Sequence, residues 1–386
     1  MRFKYPMWIQ IVKKDSISLF FTTFDNNLKV LMQEPTLAKT PLADFHNQLR
    51  SRVSQYFQQN QLRENANGNM ILKTVLLFSV AFAAYGLILT NFLPMMVMWL
   101  LCALIGAAFA SLGMAVAHDS IHGAYSPNKT INYILGYTLN IIGGNRYVWS
   151  ITHNVVHHAY TNVHHVDEDL ELAPFIRLSP YEKRKPIHRY QHVLAFIAYA
   201  FATIFWVFLK DYKKMMQRDL GPYKNKKHPW QEWVLLFVFK IIYYAYMIVI
   251  PLMIFTWWQW LIGFLTMHFV CGIILGITFQ MAHTVENTDH VENLEVMNEQ
   301  AWAVQQLKTT SNFAMKSRIL TWYMGGLNYQ VEHHLFPKVC SIHYPALSKI
   351  VMQTAKEYHV PYHSNPTFAS AIASHYHFLK RMGRKG

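Results

Sequence analysis

Charge is scarce in this 386-residue chain: Asp, Glu, Lys and Arg make up 15% of it, where a soluble domain carries about 25%. Acid is scarcer than base, 21 residues against 35, which leaves a formal net charge of +14. Cysteine is nearly absent. Cys102 and Cys271 fall inside apolar runs and Cys340 stands alone, so neither a disulfide framework nor a zinc-knuckle spacing is available. The basic start, "MRFKYPMWIQIVKKDS", has a short apolar stretch and no small-residue cleavage site, so no signal peptide is expected. No repeat or low-complexity tract is visible. The surplus of base lacks any basic-aromatic module, and no nucleic acid partner is expected from it.

What the chain has in quantity is apolar residue, 52% of the total, and it is clumped. Residues 71–93, 94–117, 232–256 and 257–282 are each long enough to cross a bilayer, a crossing taking roughly 20 mostly apolar residues. They come in two tight pairs, with turns at Asn91–Pro94 and Thr256–Trp260. Nine of the 35 Lys and Arg precede Lys73, fourteen lie between 118 and 231, and ten follow 282. By the positive-inside rule those three sections are cytoplasmic. The expected fold is therefore an all-α integral membrane protein: four transmembrane helices in two hairpins, with a helical cytoplasmic cap. Residues 1–69 read as a polar segment lying partly on the membrane, 70–365 as the main domain and 366–386 as a basic tail. One further apolar stretch, 192–209, is expected to lie at the interface or against the spans. As a fifth crossing it would put the basic stretch 210–228 outside.

Histidine is the other abundance. The stretch "HNVVHHAYTNVHHVDEDLE", 153–171, holds five imidazoles in thirteen positions, followed by four acids. Three clusters sit where membrane meets cytoplasm: "HDSIH" with His118 and His122, "HNVVHH" with His153, His157 and His158, and "QVEHH" with Gln330, His333 and His334. His283 ends the fourth run as His118 ends the second. A spacing of four puts His118 and His122 on one helical face, and spacings of four and five place His153, His157 and His158 around a single turn. A single interfacial histidine is best read as a hydrogen-bonded one. Eight at one depth point to metal, because ionisable groups at membrane depth are costly. They exceed the three or four ligands of a zinc site and suffice for two metals with open positions, and imidazole suits iron. The acids of the acidic loop, Asp167, Glu168 and Asp169, stand either as partners of metal-bound histidines or as a solvated face. Asp119 and Asn154, inside the clusters, are expected to support ligands. His268, in mid-span, is expected to bond a neighbouring helix.

The three clusters, their order and the two hairpins resemble the membrane fatty acid desaturase family. "HDSIH", "HNVVHH" and "GGLNYQVEHHLFP" match its histidine boxes, and the likeness runs over roughly residues 70–365. The resemblance implies a di-iron site with His118, His122, His153, His157, His158, His283, His333 and His334 as ligands and catalytic residues. It implies dioxygen as co-substrate and two electrons per double bond made in an acyl chain. Gln330 departs from the family's usual histidine and resembles the front-end subgroup, close to linoleoyl-CoA desaturases, which place a double bond between an existing one and the carboxyl end. Glutamine offers no imidazole nitrogen, so Gln330 is expected as a weak ligand or one acting through water. Many front-end enzymes carry a fused cytochrome b5 domain. Residues 1–69 contain only His46 and no His-Pro-Gly-Gly motif, so the electrons are expected from a separate ferredoxin or cytochrome b5.

The acyl substrate is expected as an acyl-CoA or an acyl lipid, the membrane lipid itself being a partner. A bacterial inner membrane is expected before an endoplasmic reticulum, with the site facing the cytoplasm. Two alternatives stay open: hydroxylation on the same di-iron scaffold, and, from another class, a histidine-rich metal transporter. Transporters place their ligands near the midplane of the spans, whereas these boxes lie at span ends.

Overall fold

The computed structural model describes residues 41–170, 175–220, 227–294 and 302–384. The segment before residue 41 and positions 221–226 of the basic stretch 210–228 lie outside that description. The described residues are mostly helical, and the principal helices are α1 Pro41–Gln59, α2 Gly68–Leu89, α3 Met95–Ile121, α4 at 146–157, α5 Pro186–Met216, α6 Trp230–Ile254, α7 Trp257–His283, α8 Trp302–Thr309, α9 Gln330–Leu335, α10 Tyr344–Glu357 and α11 Phe368–Gly383. Two three-residue strands, Ser311–Phe313 and His363–Asn365, pair in parallel within the cap.

The hairpins start and stop where local chemistry dictates. Asn67 caps α2 by accepting the Met70 N–H. Asn91, at a positive φ of 51°, turns the chain, and Pro94 opens α3, where its missing N–H costs nothing. Thr256 and Gln259 form a capping box at the start of α7. α2 turns Ile71, Leu72, Val75 and Phe82 outward, each more than half exposed. Such a surface belongs in lipid. α3 and α7 meet backbone to backbone. A Cβ on Gly106 would lie 2.3 Å from the Met267 carbonyl oxygen, and one on Gly272 would lie 2.5 Å from that of Tyr199 on α5. Small residues at crossings are what let helices in a membrane approach this closely.

Among the described residues five helices, not four, are long and apolar enough to cross a membrane: α2, α3, α5, α6 and α7. The fifth is the stretch expected as an interfacial helix, and it is longer than its apolar core, 31 residues from Pro186 to Met216. Val193, Ile197, Phe201, Phe205 and Leu209 form an exposed stripe at every fourth residue, while Ala195, Tyr199, Thr203 and Val207 are buried. Its polar ends are helical because they have partners. Lys214 pairs with Glu168 at 2.6 Å and Lys210 with Asp169 at 4.0 Å. At the other end Gln191 donates to the Leu379 carbonyl at 2.9 Å.

The remaining helices build the cap. α1 docks on α10 through Arg52, which donates to Thr354 at 3.0 Å and pairs with Glu357 at 2.6 Å. Phe45 and Leu49 of α1 share a core with Leu307, Leu335 and Val351. The expected basic tail is largely α11, whose Phe378 and Leu379 are buried against Ala195 and Tyr199.

Candidate metal centre

Four separate stretches deliver the histidines. Near its end α3 carries a π turn, Leu112–Ala117, that passes directly into His118, and the His122 N–H returns to the His118 carbonyl. The second stretch is also π-helical, over Ser150–His157. In an α-helix a side chain five residues on points about 140° away. Here the His158 N–H bonds the His153 carbonyl, the five-residue step of a π turn. The wider turn brings the Nε2 atoms of His153 and His158 within 3.3 Å. Helical spacing was expected from the sequence; the π pitch, which lets His157 and His158 both face the centre, was not. His283 closes α7, and His333 and His334 sit on the six-residue α9.

All eight imidazoles are brought together, and none is more than 8% exposed. His118, His122, His153 and His333 offer nitrogens that all lie within 4.8 Å of one another, as do those of His157, His283 and His334. His158 forms a third such group with His333 and His334, joining the two. The ring centroids of His118 and His333 are 4.4 Å apart, as are those of His158 and His334.

The Nδ1 atoms explain which way the rings point. His157 Nδ1 donates to both oxygens of Asp167, each at 3.1 Å. His283 Nδ1 donates to the Thr309 carbonyl at 3.2 Å and His334 Nδ1 to Gln306 Oε1 at 2.8 Å, and His333 Nδ1 shares a hydrogen bond with the Tyr344 hydroxyl at 3.2 Å. Thr161 donates to the same Gln306 oxygen at 3.0 Å. A donating Nδ1–H fixes the tautomer that leaves Nε2 as a lone pair. Inside the ring of histidines, Nε2 of His122, His333 and His334, both nitrogens of His118 and Nδ1 of His158 are buried without any hydrogen-bond partner. Each such atom costs about 1–3 kcal/mol if left unpaired. A soft-to-borderline cation is the partner this donor set fits.

Electrostatics agree. Burial, then the neighbouring imidazoles, hold His122, His153, His158, His333 and His334 far below the usual histidine range, so they stay neutral and ready to coordinate. His157 is the exception. Burial pushes it down, but the Asp167 carboxylate, its hydrogen bond and Asp169 carry it above the ordinary value. Burial likewise pushes Asp167 up, and His157 with the N–H groups of Asn162 and Asp169 brings it below.

The acidic loop therefore divides. Asp167 orients His157, Asp169 lies 3.5 Å from the same ring, and Glu168 ties down α5. His164 and His165 lie against each other, tilted, with ring centroids 3.7 Å apart, and join none of the ligand groups found among the described residues. Asp119 accepts from Ser341 N–H, Ser341 Oγ and Cys340 Sγ, and Asn154 donates to the Ile121 carbonyl at 2.9 Å. Neither bonds a histidine ring: Asp119 ties the first histidine stretch to the loop after α9, and Asn154 ties the second stretch to the first. Gln330 shares α9 with His333 and His334, is buried, and its Nε2 has no partner. His268 bonds its neighbours as expected, Thr203 and Tyr243, each at 2.9 Å. Tyr344, Gln306 and the Thr309 carbonyl gave no signal in the sequence. Neither did Trp149, whose indole stacks on His153 at 4.1 Å, though it stands one helical turn before that histidine.

An apolar cavity of about 30 Å³ opens beside His118. Gly113 and Ala117 of α3, Thr203 and Val207 of α5, and Cys271 and Leu275 of α7 line it, with Trp149 at the histidine end.

Residues 94–366 match the family described as fatty acid desaturase. Among curated proteins the chain is similar to the sn-1 linoleoyl-lipid 6-desaturase of Synechocystis, 34% identical over 88% of this chain and 96% of that one. It is 31% identical to the protein of the same name in Arthrospira platensis, over 88% and 92%. The acyl-lipid (8-3)-desaturase of Physcomitrium patens is 32% identical over 88% of this chain and 72% of its own.

Proposed function

We take as premise that this chain is a member of the fatty acid desaturase family, an oxidoreductase that introduces a double bond into an acyl chain, and propose how it does so. It acts as a front-end enzyme on an acyl lipid, with two iron ions held by the eight histidines. Dioxygen is the co-substrate, and a separate ferredoxin or cytochrome b5 supplies the electrons. The observation that carries this is the set of inward, partnerless histidine nitrogens. The overall reaction balances as follows: one –CH2–CH2– unit, one O2, two electrons and two protons give –CH=CH– and two waters.

When bound, iron supplies the chemistry no side chain has, activation of dioxygen toward an unactivated C–H bond. The chain's own residues supply the rest. His118, His122, His153 and His333 form one ligand set; His157, His283 and His334 form the other, and His158 stands between them. Asp167, Tyr344, Gln306 and the Thr309 carbonyl hold the ring orientations. Gln330 supports the site as a weak ligand or through water. The apolar cavity between α3, α5 and α7, with room at about 30 Å³ for about one methylene, marks where the acyl chain enters beside His118 and Trp149 and widens to take it; positioning of this kind accounts for a large share of such a barrier. A front-end position leaves only a few methylenes between the reacting carbons and the ester. The headgroup therefore sits close to the histidines, on the basic cytoplasmic face.

The same geometry supports four crossings. His118 ends α3 and His283 ends α7, yet both belong to one centre. α6 and α7 form a hairpin, so α6 begins on the side where α7 ends. The chain between His118 and Trp230 therefore starts and finishes on that side, and α5 does not cross alone. Lys210 and Lys214, at the end of α5, reach the Asp169 and Glu168 that adjoin His157. We read the centre as cytoplasmic in a bacterial inner membrane, residues 70–365 as the catalytic unit and 1–69 and 366–386 as its flanks.

Expression in a host supplied with linoleate, followed by gas chromatography of its lipids, tests the reading. A new double bond on the carboxyl side of the existing ones is expected, and His333→Ala abolishes it. A hydroxylated product, or unchanged lipids from a chain carrying both metals, overturns it.

A further inference from the structure

Two aromatic side chains touch the histidine centre from outside. The Tyr344 hydroxyl lies 3.2 Å from His333 Nδ1, and the Trp302 indole N–H donates to the His158 carbonyl at 3.2 Å. Both lie beneath α1. His46 meets Trp302 edge to face at 5.5 Å, and Val53 and Phe57 share a packed layer with Tyr344 and Leu347. Above that layer α1 and α10 leave an open cleft of roughly 400 Å³, lined among others by Arg52, Gln55, Tyr56, Gln59, Lys349 and Gln353. Its charge is one-sided. Among the described residues the acids nearby are already engaged: Asp44 accepts from Tyr358, and Glu357 from Arg52 and Gln353. Arg50, Lys349 and Lys356 are exposed and form no ion pair among the described residues.

We propose that this α1–α10 face is the docking surface for an acidic one-electron carrier, whose electrons enter through Tyr344 and His333. The proposal rests on the oxygen-dependent reading above, which requires two electrons per double bond, hence two docking events of one electron each. The carrier is oxidised at each event and no bond is formed to it. Exposed cations over a short polar contact to a ligand histidine are what steering of an acidic partner needs. Tyr344 is a positioning residue here, the last side chain between the face and the centre.

The test uses full-length protein in detergent and a plant-type [2Fe–2S] ferredoxin as the probe, with affinity measured at low salt. Arg50→Glu with Lys349→Glu weakens binding by about tenfold. Lys380→Glu, an equal change of charge per site on exposed α11, leaves it within twofold. Carbodiimide coupling of the wild-type pair joins ferredoxin carboxylates to Lys349 or Lys356. Tyr344→Phe keeps the affinity and slows oxidation of reduced ferredoxin. Equal affinities across the variants, coupling to other lysines, or competition by phosphatidylglycerol vesicles overturns the proposal; the last would make the face a lipid site. Chemical reduction separates the two claims. Product from chemically reduced wild-type protein, together with unchanged ferredoxin affinity in Arg50→Glu with Lys349→Glu, refutes the docking face alone. Protein reduced anaerobically by dithionite, freed of the excess and then given dioxygen, that still forms no product refutes the desaturase mechanism beneath it.

Discussion

Asp167→Asn isolates what one carboxylate does for the metal centre. Asp167 is buried and accepts four contacts: His157 Nδ1 on both oxygens at 3.1 Å, the Asn162 N–H at 2.9 Å and the Asp169 N–H at 3.1 Å. An amide keeps the shape but offers one acceptor oxygen, and its NH2 faces donors. The charge that makes His157 a stronger ligand is lost with it. Loss of such an outer partner typically costs 10–100-fold in metal affinity or activity, which is about 1.4–2.7 kcal/mol. The loss falls on the His157, His283 and His334 group, while the His118 group keeps its own support. Asp169→Asn is the internal control. Asp169 is 3.5 Å from His157 and 42% exposed on its side chain, so solvent screens it and the change is a few-fold at most. Metal per chain, measured by mass spectrometry against a graded chelator, should show one metal leaving Asp167→Asn early and both staying in Asp169→Asn. Wild-type retention and wild-type product in Asp167→Asn would refute the argument that this hydrogen bond tunes the site.

Gln330→His should bind metal normally and change the product rate, while Gln330→Ala should lower it; lipid analysis scored against protein level decides, and two wild-type results make Gln330 a packing residue. Cysteine introduced at Phe92 should label only from outside the cell and at Arg218 only from the cytoplasm; the reverse pattern for either sinks the four-crossing topology. His46 is held near 4, burial first and Arg50 second. Between about pH 4 and 6.5 the unfolded chain therefore holds a proton that the folded one has released, and stability rises with pH across that window. Removing the imidazole with His46→Gln should flatten that slope in thermal melts between pH 4 and 6.5; an unchanged slope refutes the assignment.

The hairpins were legible because lipid imposes a simple code. The run read as 71–93 is α2 at Gly68–Leu89, and 257–282 is α7 at Trp257–His283. Hydropathy saw only the apolar 192–209 of α5, since its last turns are held by Lys210 and Lys214 pairing with a loop forty residues away in sequence. The histidines were legible because eight imidazoles at short spacings have few other uses. Their orientation was not. It is set by Tyr344, Gln306 and Thr309, polar residues with many possible roles, which reach the rings only once the chain has folded. The π turns were equally hidden, because nothing in "SITHNVVH" distinguishes a five-residue step from a four-residue one.

The contact between Gly106 and the Met267 carbonyl acts as a gauge for the centre far above it. Gly106 lies twelve residues before His118, about 18 Å along the helix. Where one backbone rests on the other, the separation of α3 and α7 is set by atomic radii and admits no adjustment. An alanine there would need the two helices to part by something on the order of an ångström, because cores do not absorb a methyl freely. Both helices are lever arms ending in histidines, His118 on one and His283 on the other. A wedge deep in the lipid would thus be felt as a misfit between ligands, and a position with no polar atom in its side chain would behave as part of the metal's coordination.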